Sequence, residues 1–83
     1  MLLDIRTAWL DEREFQHVLV TDDNMEACAS WSKGICKRRD LHRVVEVPRR
    51  NGNGVMFAWP GSYILMYKDT GEFEVRSPRN INL

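Results

Sequence analysis

The residues best suited to catalysis or metal binding in this chain are two cysteines and two histidines. Cys28, Cys36 and His42 follow a C-x7-C-x5-H pattern, which is not a structural zinc spacing and has no fourth ligand. His17 has no matched nucleophile, and Asp40 with His42 is the only nearby acid–imidazole pair. Walker, G-x-G-x-x-G, G-x-S-x-G and H-E-x-x-H motifs are absent from the sequence. We therefore predict a protein that is not an enzyme and that needs neither a metal ion nor a cofactor.

The charged residues are distributed unevenly along the 83-residue chain, although its formal net charge is zero. Residues 1–32 carry seven acidic and two basic side chains, whereas residues 33–50 carry seven basic and two acidic ones. Residues 51–83 carry three of each sign. Such a distribution predicts an acidic end and a basic end, able to steer a charged partner or a second copy of the chain.

The basic stretch, residues 33–50, makes nucleic-acid binding one of two candidate functions. Asp40 and Glu46 dilute this stretch, and the strongly positive overall charge of most nucleic-acid-binding domains is absent. Nucleic-acid binding is therefore the alternative hypothesis, with Trp59 or Tyr63 stacking on unpaired bases. Its predicted phosphate contacts are Lys33, Lys37, Arg38, Arg39 and Arg43, together with Arg49 and Arg50.

The clearest secondary-structure element predicted by the sequence is a helix over residues 22–37. Apolar side chains recur there at three-, four- and seven-residue spacing, with acidic residues near the start and lysines near the end. Gly34 lies on the polar face and the apolar stripe continues beyond it, so we expect the helix to run through this residue. On such a helix Cys28 and Cys36 lie about 12 Å apart, too far for a disulfide, and we interpret both as small buried residues.

Strands are predicted for most of the remaining chain. The Asn-Gly pairs of residues 51–54, the Pro60-Gly61 pair and the Asp-Thr-Gly sequence of residues 69–71 are typical of tight turns between strands. They indicate a C-terminal four-stranded antiparallel meander with strands at residues 41–47, 55–59, 62–68 and 72–76.

The N-terminal segment leaves two interpretations open. Residues 3–9 alternate like a strand and could pair with residues 15–20 across a turn at residues 11–14, whereas good helix formers favour a short helix over residues 5–15. Residues 77–83 show no periodicity and are predicted to form a flexible tail. These elements predict one small α+β domain of order β-β-α-β-β-β-β, with a single helix packed on a mainly antiparallel, curled sheet.

The central strands of the predicted meander are apolar on both faces. One helix is about 10 Å wide and shields only about two strands, which lie about 4.8 Å apart. The sheet must therefore either curl around a filled core of its own or present apolar surface to a partner. Trp, Tyr, Met and Arg are enriched at protein interfaces. We accordingly predict a protein-binding surface formed by Trp59, Tyr63, Tyr67, Arg49 and Arg50.

The equal acidic and basic regions also favour a homodimer. A two-fold axis would set Arg49 and Arg50 of one copy against Asp11, Glu12 or Glu14 of the other. Most of the affinity would come from an apolar centre, so we expect Ile64→Asp to abolish the dimer. The predicted dimer core includes Met56, Ile64 and Met66.

The sequence favours a protein of the cytoplasm that makes no contact with a membrane. It contains no apolar run of about 20 residues, and its start lacks the basic region of a signal peptide. The absence of catalytic groups, the separated charges and the apolar sheet together predict a non-enzymatic protein-interaction module. Small, charge-polarised domains of this kind are frequent among phage and mobile-element accessory proteins, which inhibit or adapt a host protein by binding it.

Overall fold

The computed structural model describes residues 3–49 and 52–80. Within these residues the chain forms one α-helix and seven strands. The strands make two antiparallel sheets, which confirms the predicted α+β class. A single 3-10 turn, Pro78–Asn80, follows the last strand. The helix α1 is Met25–Trp31, and the strands are β1 Arg6–Leu10, β2 Arg13–Leu19, β3 Ile35–Arg39, β4 His42–Pro48, β5 Val55–Ala58, β6 Tyr63–Tyr67 and β7 Phe73–Arg76.

The strands are divided between a four-stranded sheet of order β1-β2-β6-β7 and a three-stranded sheet of order β3-β4-β5. The four strands of the predicted meander, β4 to β7, are present in the expected order, but the chain changes sheets between β5 and β6. The Pro60-Gly61 turn makes this crossing, with Gly61 at φ 95° and the Ser62 N–H donating to the Trp59 carbonyl at 2.9 Å. Backbone bonds tie the turn to Val20, just beyond β2, which directs β6 to pair with β2.

The main hydrophobic core lies between the two sheets. Strand register places Val18, Ile64 and the partly buried Val75 in one row of the four-stranded sheet. Because side chains alternate between the faces of a strand, this row defines the inner face. The three-stranded sheet and the helix contribute the facing residues, which are fully or almost fully buried: Val45, Val47, Ala58, Met25, Cys28 and Ala29. The second sheet therefore provides the cover that one helix could not.

The helix ends at Trp31, so the prediction that it continues to residue 37 is wrong. Lys33 takes a left-handed conformation with φ 60°, and the Gly34 N–H donates to the Ala29 carbonyl at 2.8 Å, as in a Schellman C-cap. A Cβ at Gly34 would lie 2.0 Å from the Glu46 carbonyl oxygen, so only glycine fits where the chain passes β4. The apolar residues after Gly34 therefore belong to a strand.

The two cysteines do not share a helix, contrary to the prediction. Cys28 lies on α1 and is completely buried, and desolvation raises the pKa of its thiol to about 11. Cys36 lies on β3 opposite Val45 and is half-buried. Both are free thiols.

The N-terminal segment forms a β-hairpin and not a helix. Strands β1 and β2 pair antiparallel with Leu10 opposite Arg13, which leaves Asp11 and Glu12 as a two-residue turn. Both turn residues have positive φ, 50° and 65°, as a type I′ hairpin turn requires. Residues 81–83 of the predicted tail lie outside the described residues.

Candidate functional site

The outer face of the three-stranded sheet carries a cluster of exposed hydrophobic and basic side chains. Pairing places Ile35, Glu46 and Phe57 in one row across β3, β4 and β5. Trp59 follows immediately after β5, two residues beyond Phe57. The hydrophobic members are 57% (Ile35), 38% (Val55), 37% (Phe57) and 40% (Trp59) exposed. We call this cluster the platform and define it as Ile35, Lys37, Arg39, Val55, Phe57 and Trp59.

The platform is electrically positive. The Arg39 guanidinium carbon lies 4.6 Å from the centre of the Phe57 ring, a cation–π contact. The Lys37 Nζ lies 3.6 Å from Oε2 of Glu46, whose side chain is only 13% exposed. Arg49, just beyond β4, is exposed but lines the cleft beside the four-stranded sheet and does not belong to the platform. The platform therefore presents cations to solvent, whereas the one carboxylate in its rows is largely covered.

The fold brings together only two of the residues predicted as a protein-binding surface, Arg49 and Tyr67, which line one open cleft. Trp59 belongs to the platform, whereas Tyr63 and Tyr67 lie on the four-stranded sheet. Tyr67 is only 7% exposed. The guanidinium of Arg13 lies 3.9 Å above its ring, so this tyrosine is part of a local cluster. Arg50 lies outside the described residues.

The residues predicted to form a dimer core lie between the sheets. Ile64 is completely buried in the main core, in register with Val18. Met56 packs against the same core, and Met66 is half-buried on the same face of β6 as Ile64. A second copy could not reach Ile64 in this fold, so Ile64→Asp would disrupt folding before it disrupted a dimer.

The fold brings together some of the basic residues predicted to bind nucleic acid and separates the others. Lys37, Arg38 and Arg43 line one open cleft beside Glu26. Lys37 and Arg39 point to the platform side of β3, whereas Arg38 alternates to the opposite side. Lys33 lies in the loop that joins α1 to β3. Arg43 pairs with Arg38 in the strand register and is therefore also on the opposite side. Only two of these five side chains share the platform.

Arg43 is held near the helix by contacts of its own. Its Nη2 donates to the Cys36 Sγ at 3.1 Å and lies 3.6 Å from Oε1 of Glu26. These contacts direct the guanidinium toward α1 and away from the platform.

The two histidines occupy different environments. His17 is 8% exposed and packs between the rings of Phe15 and Tyr63, with centroid distances of 5.8 and 6.0 Å. Burial lowers the pKa of His17, as does the nearby Arg6. His42 is exposed beside the β3–β4 turn. In the described part of the chain, no group of three or more His, Cys, Asp or Glu side chains is placed to hold a metal ion.

An open cleft of about 740 Å³ also contains basic side chains, along the last strand of the four-stranded sheet. Three arginines line it, Arg13, Arg49 and Arg76, and two of them form ion pairs within the molecule. Arg13 pairs with Asp69 at 3.0 Å, and Arg76 pairs with Glu74 at 3.3 Å. The Tyr67 hydroxyl donates to the same Glu74 carboxylate. Its apolar members, Met56, Tyr67 and Phe73, are buried or half-buried, so this cleft exposes fewer hydrophobic side chains than the platform and is a weaker candidate for a binding site.

Sequence reasoning missed Ile35, Val55 and Phe57 as surface residues. The signal for Ile35 was the two-residue alternation of Ile35, Lys37 and Arg39, which is visible only when residues 35–39 are assigned to a strand. Val55 and Phe57 lie in a strand that was predicted, but they were not selected as binding residues. The same alternation places Phe57 and Trp59 on one side of the chain.

No protein-family model, curated protein or solved structure matches this chain. Among residues 3–49 and 52–80, no helix has the length and apolar character needed to span a membrane.

Proposed function

We propose that this protein is a non-enzymatic protein-interaction module and that the platform is its binding surface. The observation that carries this proposal is the concentration of exposed apolar area. Of the eight large hydrophobic side chains exposed in the described residues, four belong to the platform. Contiguous exposed hydrophobic side chains with aromatic and arginine members characterise protein-binding surfaces.

The charges of the platform specify the chemistry of the partner. Lys37 and Arg39 are exposed, and the nearby Glu46 is mostly covered and already paired with Lys37. A partner that fits this surface presents carboxylates around an apolar centre. The apolar contacts then supply most of the affinity, while the charges mainly orient and accelerate association.

A binding module of this kind acts by covering part of its partner. Inhibition or adaptation of a host protein by a phage or mobile-element accessory protein in the cytoplasm would work in this way. No group on the platform needs to react, since binding alone changes what the partner can contact.

Single-stranded nucleic acid is the second candidate occupant of the platform. It is favoured by one specific observation, the stacking of Arg39 on Phe57 with Trp59 two residues further on. Aromatic rings and guanidinium planes on a sheet face are the usual stacking surfaces for unpaired bases. Protein is the first candidate because Ile35 and Val55 add aliphatic area that base stacking does not use.

The test compares a platform variant, Phe57→Ser/Trp59→Ser, with the control Leu41→Ser at the β3–β4 turn, where Leu41 is 86% exposed. Each protein captures partners from a nuclease-treated cytosolic extract, and the captured protein is then purified and its affinity measured by calorimetry. We expect the platform variant to bind at least about tenfold more weakly, because it loses two aromatic contacts. The control should bind like wild type.

Two results would contradict the proposal. Equal affinity of the platform variant and wild type for the purified partner would remove the platform as the binding surface. Tight binding of wild type to a 12-nucleotide oligo-dT, lost in the platform variant and falling linearly with log salt, would assign the platform to nucleic acid.

A further inference from the structure

The tip of the β1–β2 hairpin combines an exposed aromatic ring with exposed carboxylates. Trp9 is 66% exposed, far more than the other two tryptophans of the chain. Asp11 and Glu12 form the adjoining two-residue turn and are both exposed. We call Trp9, Asp11 and Glu12 the hairpin tip.

The acidic charges of the hairpin tip are available to a partner. Glu14 and Arg13, which follow the turn, are already engaged, with Lys68 at 3.7 Å and Asp69 at 3.0 Å respectively. Within residues 3–49 and 52–80, neither Asp11 nor Glu12 has an ion-pair partner. Their positive φ values fix the turn and hold both side chains beyond the last pair of the hairpin.

The hairpin tip therefore has the chemistry that the platform calls for in a partner: carboxylates beside an apolar group. We infer that the platform binds the hairpin tip of a second copy of this chain. This inference rests on the platform being a binding surface, as proposed above. In the contact, the Trp9 ring packs on Phe57 and Trp59.

Charge complementarity sets the orientation of this contact. Asp11 and Glu12 lie over Lys37 and Arg39, so an opposite charge meets each exposed charge. The tip and the platform are different surfaces, so one contact leaves a free tip and a free platform. Two reciprocal contacts about a two-fold axis close a dimer, and this satisfies both surfaces of both copies.

The experiment is a charge reversal with rescue, measured by sedimentation equilibrium up to high micromolar concentration. Glu12→Lys and Arg39→Glu are each expected to weaken self-association about tenfold, because each replaces an attraction by a repulsion. The double variant restores attraction with the charges exchanged and should recover most of the wild-type affinity. Lys is acceptable at position 12 because Lys33 adopts a similar left-handed conformation, φ 60° against 65°.

Matched controls carry the same charge changes elsewhere. Asp23→Lys lies near the start of the helix, and Arg38→Glu lies on the opposite side of β3 from Arg39. Both should associate like wild type. Trp9→Ser should abolish association without unfolding the chain, since the ring is mostly in solvent.

A wild-type monomer of 9.8 kDa at high micromolar concentration would overturn the inference. So would reversals that weaken association no more than their controls, or a double variant as weak as either single one. None of these results contradicts the proposed function if Phe57→Ser/Trp59→Ser binds a different captured protein more weakly than wild type does. Both proposals fail if Phe57→Ser/Trp59→Ser self-associates and binds its captured partner as tightly as wild type.

Discussion

At the scale of single residues, Gly34 decides where the helix ends and the first strand of the smaller sheet begins. Its N–H closes the helix cap, and its missing side chain allows β3 to start beside the Glu46 carbonyl. Neither role is visible from the periodicity of the sequence, because Ile35 and Cys36 fit a helical stripe as well as a strand. The left-handed position that usually marks a helix end is held by Lys33.

We expect Gly34→Ala to destabilise the fold by about 2 kcal/mol or more, because the new methyl group would overlap the Glu46 carbonyl oxygen. By contrast, Lys33→Gly should stabilise it by about 1 kcal/mol, since glycine relieves the left-handed backbone. Urea denaturation of both variants measures these differences. An unchanged midpoint for Gly34→Ala would show that the chain does not pass β4 this closely.

His17 should make the stability of the protein depend on pH near and below the ordinary histidine pKa of about 6.5. Burial and Arg6 lower its pKa in the folded state, so the unfolded chain, with an ordinary pKa of about 6.5, binds more protons in this range. Stability is therefore fully present above pH 7 and decreases as the pH falls below the unfolded value. Thermal unfolding of wild type and His17→Phe across this range tests the prediction. An equal slope for both proteins would contradict it.

At the scale of secondary-structure elements, local turn chemistry was predictable and long-range pairing was not. Asn-Gly and Pro-Gly pairs correctly predicted turns, and alternation correctly favoured the N-terminal hairpin. The assignment of β6 to the larger sheet depends on contacts of the Pro60-Gly61 turn with Val20, which lies 40 residues before Pro60 in the chain. No local pattern specifies such a contact.

The β1–β2 turn is an element whose sequence is not optimal for its geometry. Both Asp11 and Glu12 have positive φ, which Asn and Gly adopt at lower cost. We expect Asp11→Asn/Glu12→Gly to raise the stability by about 1 kcal/mol, or roughly 4–8 °C in Tm. As a control, a glycine placed within the helix, Glu26→Gly, should lower the Tm. A turn variant that melts below wild type would contradict the type I′ assignment.

At the scale of the whole molecule, two sheets around one core leave one apolar face uncovered. The sequence predicted an excess of apolar sheet surface, and Trp59, predicted to bind a partner, is 40% exposed. It did not predict which face was exposed, because that depends on how β6 and β7 fold back over β4 and β5. Ile64 was therefore expected at an interface, although the second sheet buries it completely.

The fold also determines which of the separated charges of the chain lie on the same surface. The basic stretch contributes Lys37 and Arg39 to the platform and turns Arg38 and Arg43 to the other side. The acidic N-terminal third contributes the exposed turn of Asp11 and Glu12. Strand alternation thus selects which charges of each region can meet a partner.

The most direct test of the account is amide hydrogen exchange of the protein alone and saturated with the partner it captures. If the platform is the binding surface, exchange should slow in residues 35–39 and 55–59, with little change in β6 and β7 of the larger sheet. Protection confined to residues 63–76, with unchanged exchange on the platform, would show that the platform is not the binding surface.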